Sequence, residues 1–520
     1  MNEPSRRFRD EGYWRDDLLT DHVRSHAERD PSGTAIVDGA RRLSWAQLWA
    51  ASARCAQRLR ELGVSAGEVV STQLPNGAEI VALHLATELV GAAHNPLAVQ
   101  FREYELGQVA DIMEPTLVIH PGILDGIDYG AIHAGTKAGR SGRAIDVSDC
   151  VMPGETPVGV IRAATKADEI AFILNTSGTV SIKGVAHSHQ EAMFSTRTVA
   201  GLIGIDGSDT VMCAIPMTWG GGLAWGVRFA LHAGATLVSL PRWDPQAAAS
   251  IIDEEGVTFI YGPPTLARDL VSLADVWRPE VALKMICAGA PIPREICRKA
   301  RDDLGVSLFP GYGQTEHLHS TVGRRGDPEE KLVTTDGRAL PGVEVRAVDD
   351  DGAPCPALEV GNIECRGPNV GIGYYRQPEL SGATFKDDGW QVTQDLGSFD
   401  SDGYLRVAGR KRDIIIRGGL NVSPREVEEL LVRHPDVREA AVVGYPDPRY
   451  GERICAFVVP FGSHVPSLQE LTSALSDMGV ARYKHPERVE RLESLPLTTT
   501  GKVRHESLRE MLRNEEAASS

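Results

Sequence analysis

The sequence lacks long apolar runs and paired cysteines. No uncharged apolar stretch is long enough to cross a bilayer. The eight cysteines are scattered over 520 residues and form no Cys-x-x-Cys pair. This argues against a zinc ribbon or a disulfide framework and is typical of the reducing cytoplasm. Residues 1–17 are polar and charged, without the apolar stretch of a signal peptide. We therefore expect a cytoplasmic protein without membrane insertion.

Basic residues are also fewer than acidic residues. The chain has 54 Lys and Arg against 71 Asp and Glu, a formal net charge of −17. A surface of this sign repels nucleic-acid phosphates and anionic lipids, so we expect neither as a partner. A local basic pocket could still hold an anionic small molecule. The composition is compatible with a homodimer.

Helix and strand patterns alternate along most of the chain. Apolar residues at helical spacing predict helices at 45–62 and 79–90, and short apolar runs predict strands at Val69–Thr72 and 117–119. This alternation predicts a layered α/β body. Pro, Gly and Asp crowd residues 349–356, and the strand patterns around them favour an antiparallel, β-rich subdomain.

A charged segment at 409–413 separates this body from a smaller unit. Strand patterns at 414–417, 440–444 and 456–459, with a helical pattern at 424–432, predict an α+β fold. We place the boundary here. The prediction is a large α/β domain at 1–410, which binds the substrates, and a small mobile α+β lid domain at 411–520.

Two segments carry candidate chemistry. The first is Asn175-Thr176-Ser177-Gly178-Thr179-Val180-Ser181-Ile182-Lys183-Gly184-Val185, and the second is Gly311-Tyr312-Gly313-Gln314-Thr315-Glu316. Glycines and hydroxyls let a backbone wrap phosphate oxygens, and Lys183 adds a positive charge. The ending of a Walker A loop is absent. Taken alone, the first segment is better explained as a polar turn. In the second segment, Tyr312 offers a stacking face and Glu316 a hard oxygen ligand suited to Mg²⁺.

These segments and four others resemble, in order and spacing, the motifs of the adenylate-forming (ANL) superfamily, which contains acyl-CoA synthetases, luciferases and peptide-synthetase adenylation domains. The other four are Ala288-Gly289-Ala290-Pro291, Trp390-Gln391-Val392-Thr393-Gln394-Asp395-Leu396-Gly397, Gly409-Arg410-Lys411-Arg412-Asp413 and Leu495-Pro496-Leu497-Thr498-Thr499-Thr500-Gly501-Lys502. The resemblance covers residues 13–508. The phosphate loop is one residue shorter than the family's, and Gln394 replaces a glycine. If that glycine had a positive φ, Gln394 would cost about 1 kcal/mol.

The resemblance implies an AMP-forming acid ligase that uses ATP and Mg²⁺. It implies ATP contacts from Thr176, Ser177, Gly178, Thr179, Lys183, Gly289, Ala290, Pro291, Gly311, Tyr312, Gly313, Gln314, Thr315, Asp395, Arg410 and Lys502. Tyr312 would stack on adenine, Asp395 and Arg410 would bind the ribose, and Thr315 would contact the α-phosphate. Glu316 would hold the metal, Lys502 would bridge the acid and the α-phosphate, and Arg412 stands at the hinge position.

The acid pocket is expected at Ile215-Pro216-Met217-Thr218-Trp219-Gly220-Gly221-Gly222, with Gly313 beside it. Many relatives have a histidine where Trp219 stands, and aryl-acid relatives often have an asparagine at the position of Gly220. A core tryptophan is a nearly equal alternative for Trp219. No Phe-Asp-x-Ser string occurs, which disfavours an α-amino acid as substrate.

The acceptor is expected to be CoA, because Arg417-Gly418-Gly419-Leu420-Asn421-Val422-Ser423-Pro424 resembles the strand and turn of the family's pantetheine tunnel, with Gly418 and Gly419 in it. Three alternatives stay open: a stand-alone aryl-acid adenylating enzyme, a member with another acid or acceptor, such as a diazotase that activates nitrite toward an arylamine, and a non-catalytic nucleotide-binding regulator. Two His-x-His pairs, 187/189 and 317/319, look like metal pairs, but no carboxylate or cysteine cluster accompanies them, so we expect no zinc site.

Overall fold

The structure is a computed structural model. It describes residues 3–150, 163, 165–177, 182–290, 292–417, 420–447, 450–462, 464–478, 480–498 and 502–519.

The strands are β1 (Thr34–Asp38), β2 (Arg41–Ser44), β3 (Val69–Thr72), β4 (Ala93–Pro96), β5 (Leu117–His120), β6 (Ile123–Leu124), β7 (Ile127–Asp128), β8 (Ala144–Asp146), β9 (Ile170–Ser177), β10 (Ile182–Ser188), β11 (Thr210–Cys213), β12 (Thr236–Ser239), β13 (Phe259–Gly262), β14 (Lys284–Cys287), β15 (Ser307–Gln314), β16 (Leu318–Val322), β17 (Arg338–Ala339), β18 (Glu344–Val348), β19 (Gly361–Arg366), β20 (Gly373–Tyr374), β21 (Gln391–Phe399), β22 (Leu405–Arg410), β23 (Ile415–Arg417), β24 (Leu420–Val422), β25 (Val437–Asp447), β26 (Gly451–Pro460) and β27 (Arg488–Arg491).

The α-helices are α1 (Glu3–Asp10), α2 (Leu19–Arg29), α3 (Trp45–Glu61), α4 (Ala78–Val90), α5 (Glu103–Met113), α6 (Tyr129–Ala134), α7 (Lys137–Arg140), α8 (His189–Ile203), α9 (Arg228–Ala233), α10 (Pro245–Glu255), α11 (Pro264–Val271), α12 (Arg294–Leu304), α13 (Glu329–Thr334), α14 (Pro378–Thr384), α15 (Pro424–Leu431), α16 (Leu468–Asp477) and α17 (His505–Ser519). A π-helical turn spans Gly221–Val227, and short 3₁₀ turns lie at Val147–Asp149, Lys411–Asp413 and Arg482–Lys484.

Two large mixed sheets form the body of the chain. One runs in the order β17-β16-β15-β14-β13-β11-β12-β1-β2, and its strands β1 and β11 to β15 are parallel. The other runs in the order β20-β10-β9-β4-β3-β5-β8. The main core joins residues of both sheets to α3, α4, α8 and α9. Nearly every residue of α4 is buried, as expected for a helix that packs on more than one side. The predicted layered α/β body is confirmed.

A smaller antiparallel sheet, β18-β19-β21-β22, follows. The Pro-, Gly- and Asp-rich residues 349–356 connect its first two strands, as the sequence predicts. The chain then passes from β22 through the turn Lys411–Asp413 into the C-terminal unit, where β23 to β27 form a sheet that packs with α15, α16 and α17. The predicted α+β character of this unit is confirmed, while the boundary between 410 and 411 stays a prediction. Within the described residues, no helix is both long and apolar enough to span a membrane.

An ion-pair network joins the C-terminal unit to the body; we call it the interdomain network. Arg425, which is 5% exposed, contacts Asp336 at 3.3 Å and Glu429 at 3.1 Å and donates to the carbonyl of Val407. Arg406 contacts both Glu429 and Asp336. Because charges removed from water are stable only when they are paired, this network favours the observed arrangement of the two units.

The backbone at Gln394 is strained. Its φ is 61°, in the left-handed region, while its side chain is exposed. Position 394 therefore has the positive φ on which the expected cost of Gln394 depends. A residue with a Cβ pays a steric penalty here that glycine does not pay.

We expect Gln394→Gly to raise the free energy of unfolding by about 0.5–1 kcal/mol, since it removes this penalty and loses no buried contact. Thermal and denaturant unfolding measure the change. Gln394→Ala is the matched control because alanine keeps the Cβ. Equal stabilisation by both substitutions would mean that the backbone angle is not the cause.

Candidate active site

The predicted site residues gather at the carboxyl ends of the parallel strands. Gly289 and Ala290 directly follow β14, and Tyr312, Gly313 and Gln314 end β15. In open α/β sheets, ligands bind in the crevice outside these strand ends. Gly289 has a φ of 84°, and a Cβ built on it would meet no atom within 4 Å, so its backbone faces open space.

Asp395 is the centre of a hydrogen-bonded group. Its Oδ2 accepts a hydrogen bond from the Tyr312 hydroxyl at 2.9 Å and another from Gln314 Nε2 at 2.6 Å. Its Oδ1 lies 3.4 Å from Arg410 Nε, and the two residues are register partners across β21 and β22. Tyr312 is buried in a small apolar cluster that includes Ile363. Four residues predicted to bind the nucleoside are thus brought into one group.

Glu316 and Lys183 meet at Tyr374, which the sequence analysis missed. The Tyr374 hydroxyl donates to Glu316 Oε1 at 2.7 Å, and Lys183 Nζ lies 5.0 Å from the centre of the Tyr374 ring. This joins the strand after the phosphate loop to the predicted metal ligand. Tyr374 lies 58 residues beyond Glu316, so local spacing gave no signal for it.

Thr315 is fixed through its backbone. Its carbonyl oxygen lies 2.7 Å from Nε2 of His187, a fully buried residue of β10. Burial lowers the pKa of His187 to about 4, so the ring is neutral at physiological pH. His189 is the first residue of α8, and His187 lies near the end of β10, the strand before this helix. The pair therefore lies where the strand after the phosphate loop leads into α8.

Lys502 reaches the site from the C-terminal unit. Its backbone N–H donates to Thr498 Oγ1 at 3.0 Å, and its carbonyl accepts from the Thr498 N–H at 2.7 Å, which closes a tight turn. The residue keeps solvent access, yet the protein around its amine lowers the pKa of Lys502. Burial is the main cause and Arg410 adds to it, while Asp395 and Glu316 oppose it. The amine therefore lies within electrostatic range of three predicted site residues.

The phosphate loop connects two paired strands. Lys183 is the register partner of Thr176, and Ile182 that of Ser177. The Asn175 side chain donates to the carbonyl of Pro96, and its Oδ1 is buried with no partner in the described part of the chain. Several predicted residues lie outside the described residues: Gly178, Thr179, Pro291, Gly418 and Gly419. Arg412 lies in the turn between the two units, at the predicted hinge.

The predicted acid pocket borders the π-helical turn Gly221–Val227. Trp219 is half-buried just before this turn. A Cβ built on Gly220 would lie 3.3 Å from the Leu174 side chain, within β9, and one on Gly313 would lie 1.7 Å from the Leu318 carbonyl oxygen. Only glycine therefore fits at 313. π-helical turns are rare and often occur at functional sites.

Comparison with known proteins gives two family matches. The family model "AMP-binding enzyme" matches residues 23–375, and "AMP-binding enzyme C-terminal domain" matches residues 426–502. The chain is 32% identical to a medium-chain fatty-acid–CoA ligase of Escherichia coli over 521 residues, covering 96% of this chain and 92% of the relative. It is 30% identical to a 2,3-dihydroxybenzoate–AMP ligase of Bacillus subtilis over 526 residues, covering 98% and 96%.

A solved structure supports the same assignment. ATP-bound MatB from Rhodopseudomonas palustris superposes with a TM-score of 0.84 at 29% identity, over 95% of this chain and 99% of that one. Motifs, fold and relatives agree over nearly the whole length. The chain therefore belongs to the AMP-binding enzyme family, the adenylate-forming superfamily, and is an AMP-forming acid ligase.

Proposed function

We propose that this ligase binds ATP and Mg²⁺ between its two domains, converts a small carboxylic acid to the acyl-adenylate, and transfers the acyl group to the thiol of CoA. The observation that carries the proposal is the group in which Asp395 accepts hydrogen bonds from Tyr312 and Gln314 and faces Arg410. Lys502, from the C-terminal unit, lies within electrostatic range of Asp395 and Glu316. A lysine of one domain near two carboxylates of the other suits a reaction in which a carboxylate and a phosphate, both anions, must be brought together between the domains.

In the first step, a carboxylate oxygen of the acid attacks the α-phosphorus of ATP, the bond to the bridging oxygen breaks, and pyrophosphate leaves. Lys502 holds the two anions together and offsets the charge that develops between them. Asp395 and Arg410 position the ribose, and Tyr312 the adenine. In the second step, the CoA sulfur attacks the acyl carbon and AMP leaves.

The residues present fit a magnesium ion. Glu316 is a partly exposed residue whose carboxylate makes one hydrogen bond within the described residues, to Tyr374, and this bond uses only its Oε1. A carboxylate together with substrate phosphates is the usual environment of Mg²⁺ in nucleotide enzymes. When bound, the ion would neutralise phosphate charge. Glu316 would hold it, and Lys183, whose Nζ lies 5.0 Å from the centre of the Tyr374 ring, would supply a positive charge for the phosphates.

CoA is the proposed acceptor because the chain is similar to a CoA ligase over nearly its full length. The similarity to an aryl-acid–AMP ligase supports a stand-alone adenylating enzyme as the second candidate. Hydroxamate trapping and CoA-thioester formation, measured with the same acid, would separate the two. We further propose that the enzyme is cytoplasmic and does not bind nucleic acid. We also propose that it forms a homodimer, which light scattering would test.

We expect Lys502→Ala to lower the rate of ATP–pyrophosphate exchange by about 10²–10³-fold, because it removes a positioned charge from the transition state. Thermal stability should hardly change, since the residue as a whole stays exposed to solvent although protein surrounds its amine. Lys484→Ala is the matched control: this lysine of the same unit pairs with Glu426, away from the site. Near-normal exchange in Lys502→Ala would remove the residue from the mechanism.

We expect Glu316→Gln to raise the Mg²⁺ concentration for half-maximal exchange by about tenfold or more, corresponding to about 1.4 kcal/mol of metal binding. The KM for the acid should change less. Tyr374→Phe is the control, since it removes the hydrogen bond but keeps the carboxylate charge. If the magnesium requirement of Glu316→Gln equals that of the wild type, the metal is held elsewhere.

A further inference from the structure

Tyr374 contacts two predicted site residues of opposite charge with different parts of its side chain. Its hydroxyl donates a hydrogen bond to Glu316 Oε1 at 2.7 Å, while the ammonium nitrogen of Lys183 lies 5.0 Å from the centre of its ring. This distance is within the range of a cation–π interaction. In the described part of the chain, neither Lys183 nor Glu316 has an ion-pair partner. The tyrosine therefore lies between a cation and a carboxylate that do not pair with each other.

The strand β20 and its neighbours hold the Tyr374 ring at this point. Tyr374 is the register partner of Val185 in β10, and Lys183 lies two residues before Val185, on the same face of that strand. Diagonal neighbours of this kind are within reach of aromatic and long side chains. The Tyr374 N–H donates to Ser381 Oγ at 2.9 Å, and the ring packs edge-on against Phe385, with the ring centres 5.6 Å apart. The position of the ring is thus fixed by contacts other than those with the two charges.

The Tyr374 hydroxyl remains a donor at physiological pH. Burial is the main cause that raises the pKa of Tyr374, and the negative charge of Glu316 adds to it, while the Thr384 side chain opposes it. The hydroxyl therefore keeps its proton. It can satisfy one oxygen of Glu316 without bringing a charge to it.

A direct pair between Lys183 and Glu316 would oppose both of the functions proposed for them. The ammonium would have to leave the carboxylate before it could contact phosphate, and the carboxylate would have to lose the ammonium before it could hold Mg²⁺. Apparent affinity falls with the fraction of protein that is competent to bind. Because lysine has a flexible four-carbon stem, such a pair is expected wherever no group stands between the two charges.

We infer that Tyr374 is a positioning residue that keeps Lys183 and Glu316 apart in the free enzyme, so that the ammonium stays available for the phosphates of ATP and the carboxylate for Mg²⁺. The ring face holds the lysine and the hydroxyl holds the glutamate, and a bound nucleotide can replace both of these neutral contacts. This inference rests on the proposed function of the site and adds a residue that touches neither the acid nor the acceptor.

The experiment measures how the full-length protein binds the magnesium complex of α,β-methylene-ATP, an analogue that cannot be cleaved to pyrophosphate, by calorimetry. In Tyr374→Leu, which removes the ring and the hydroxyl, the Kd should rise by about fivefold, the size expected when one ion pair must first be broken. In Tyr374→Phe, which keeps the ring between the charges, the Kd should stay within about twofold of the wild-type value.

The loss of affinity should disappear when either partner of the unwanted pair is removed. Adding Tyr374→Leu to Lys183→Met, or to Glu316→Gln, should leave the Kd within about twofold of that background. A loss of packing at β20 would instead weaken binding in every background alike. Tyr375→Leu is the matched control, because this next residue of the chain lies against Arg376 and should not alter the Kd.

Melting curves identify any unfolded variant. Should Tyr374→Leu not fold, Tyr374→Met repeats the comparison, since its flexible side chain fills more of the space that the ring leaves. Unchanged or tighter binding by the folded variant would overturn the inference, and so would an equal loss of affinity in the backgrounds that lack Lys183 or Glu316.

The binding measurement requires no acid and no acceptor, so its failure can be told apart from failure of the proposed function. Absence of ATP–pyrophosphate exchange with every acid, in a protein that binds the analogue as expected, would overturn only the proposed function. Absence of analogue binding by the wild type would overturn both.

Discussion

The geometry of the site depends on the carboxylate of Asp395. Tyr312 and Gln314, at the end of β15, both donate to it, and Arg410 pairs with it across β21 and β22. It also contributes to the field around Lys502. One carboxylate therefore aligns the parallel sheet with the β-rich sheet and attracts the lysine of the C-terminal unit. Because its acceptor oxygens are fixed by these donors, the side chains predicted to bind the nucleoside are held in place by one another.

The strand after the phosphate loop is linked to the turn between β15 and β16, which carries Thr315 and Glu316. His187 meets the Thr315 carbonyl, and Tyr374, paired with β10, donates to Glu316. The Gly371 N–H adds a third link, to the carbonyl of Glu316. The residues predicted to bind phosphate and the proposed metal ligand thus belong to one hydrogen-bonded frame.

Much of this arrangement could be predicted from the sequence, because glycines, hydroxyls and charges that bind nucleotides occur in short local patterns. The α/β body and the α+β unit were predicted in this way, while the group around Tyr312, Gln314 and Asp395 followed from the resemblance to the motifs of the superfamily. Tyr374 was not assigned a role. Its contact with Glu316 joins residues far apart in the chain, and an aromatic residue in a strand has no signature that distinguishes a ligand contact from core packing. The interdomain network was missed for the same reason, since ion pairs between units follow from docking and not from spacing.

The interdomain network has a further property that concerns movement. Asp336 and Arg406 belong to the body, and Arg425 and Glu429 belong to the C-terminal unit. Each of these two sets carries one positive and one negative charge, and each set is already in contact with itself: Arg406 with Asp336, and Arg425 with Glu429. If the units separate, Arg406 keeps Asp336 on one surface and Arg425 keeps Glu429 on the other, while the contacts of Arg425 with Asp336, of Arg406 with Glu429 and of Arg294 with Glu429 are broken. Opening therefore costs these contacts between the units, but each of the four charges retains one partner of opposite sign, which lowers the cost of exposing it.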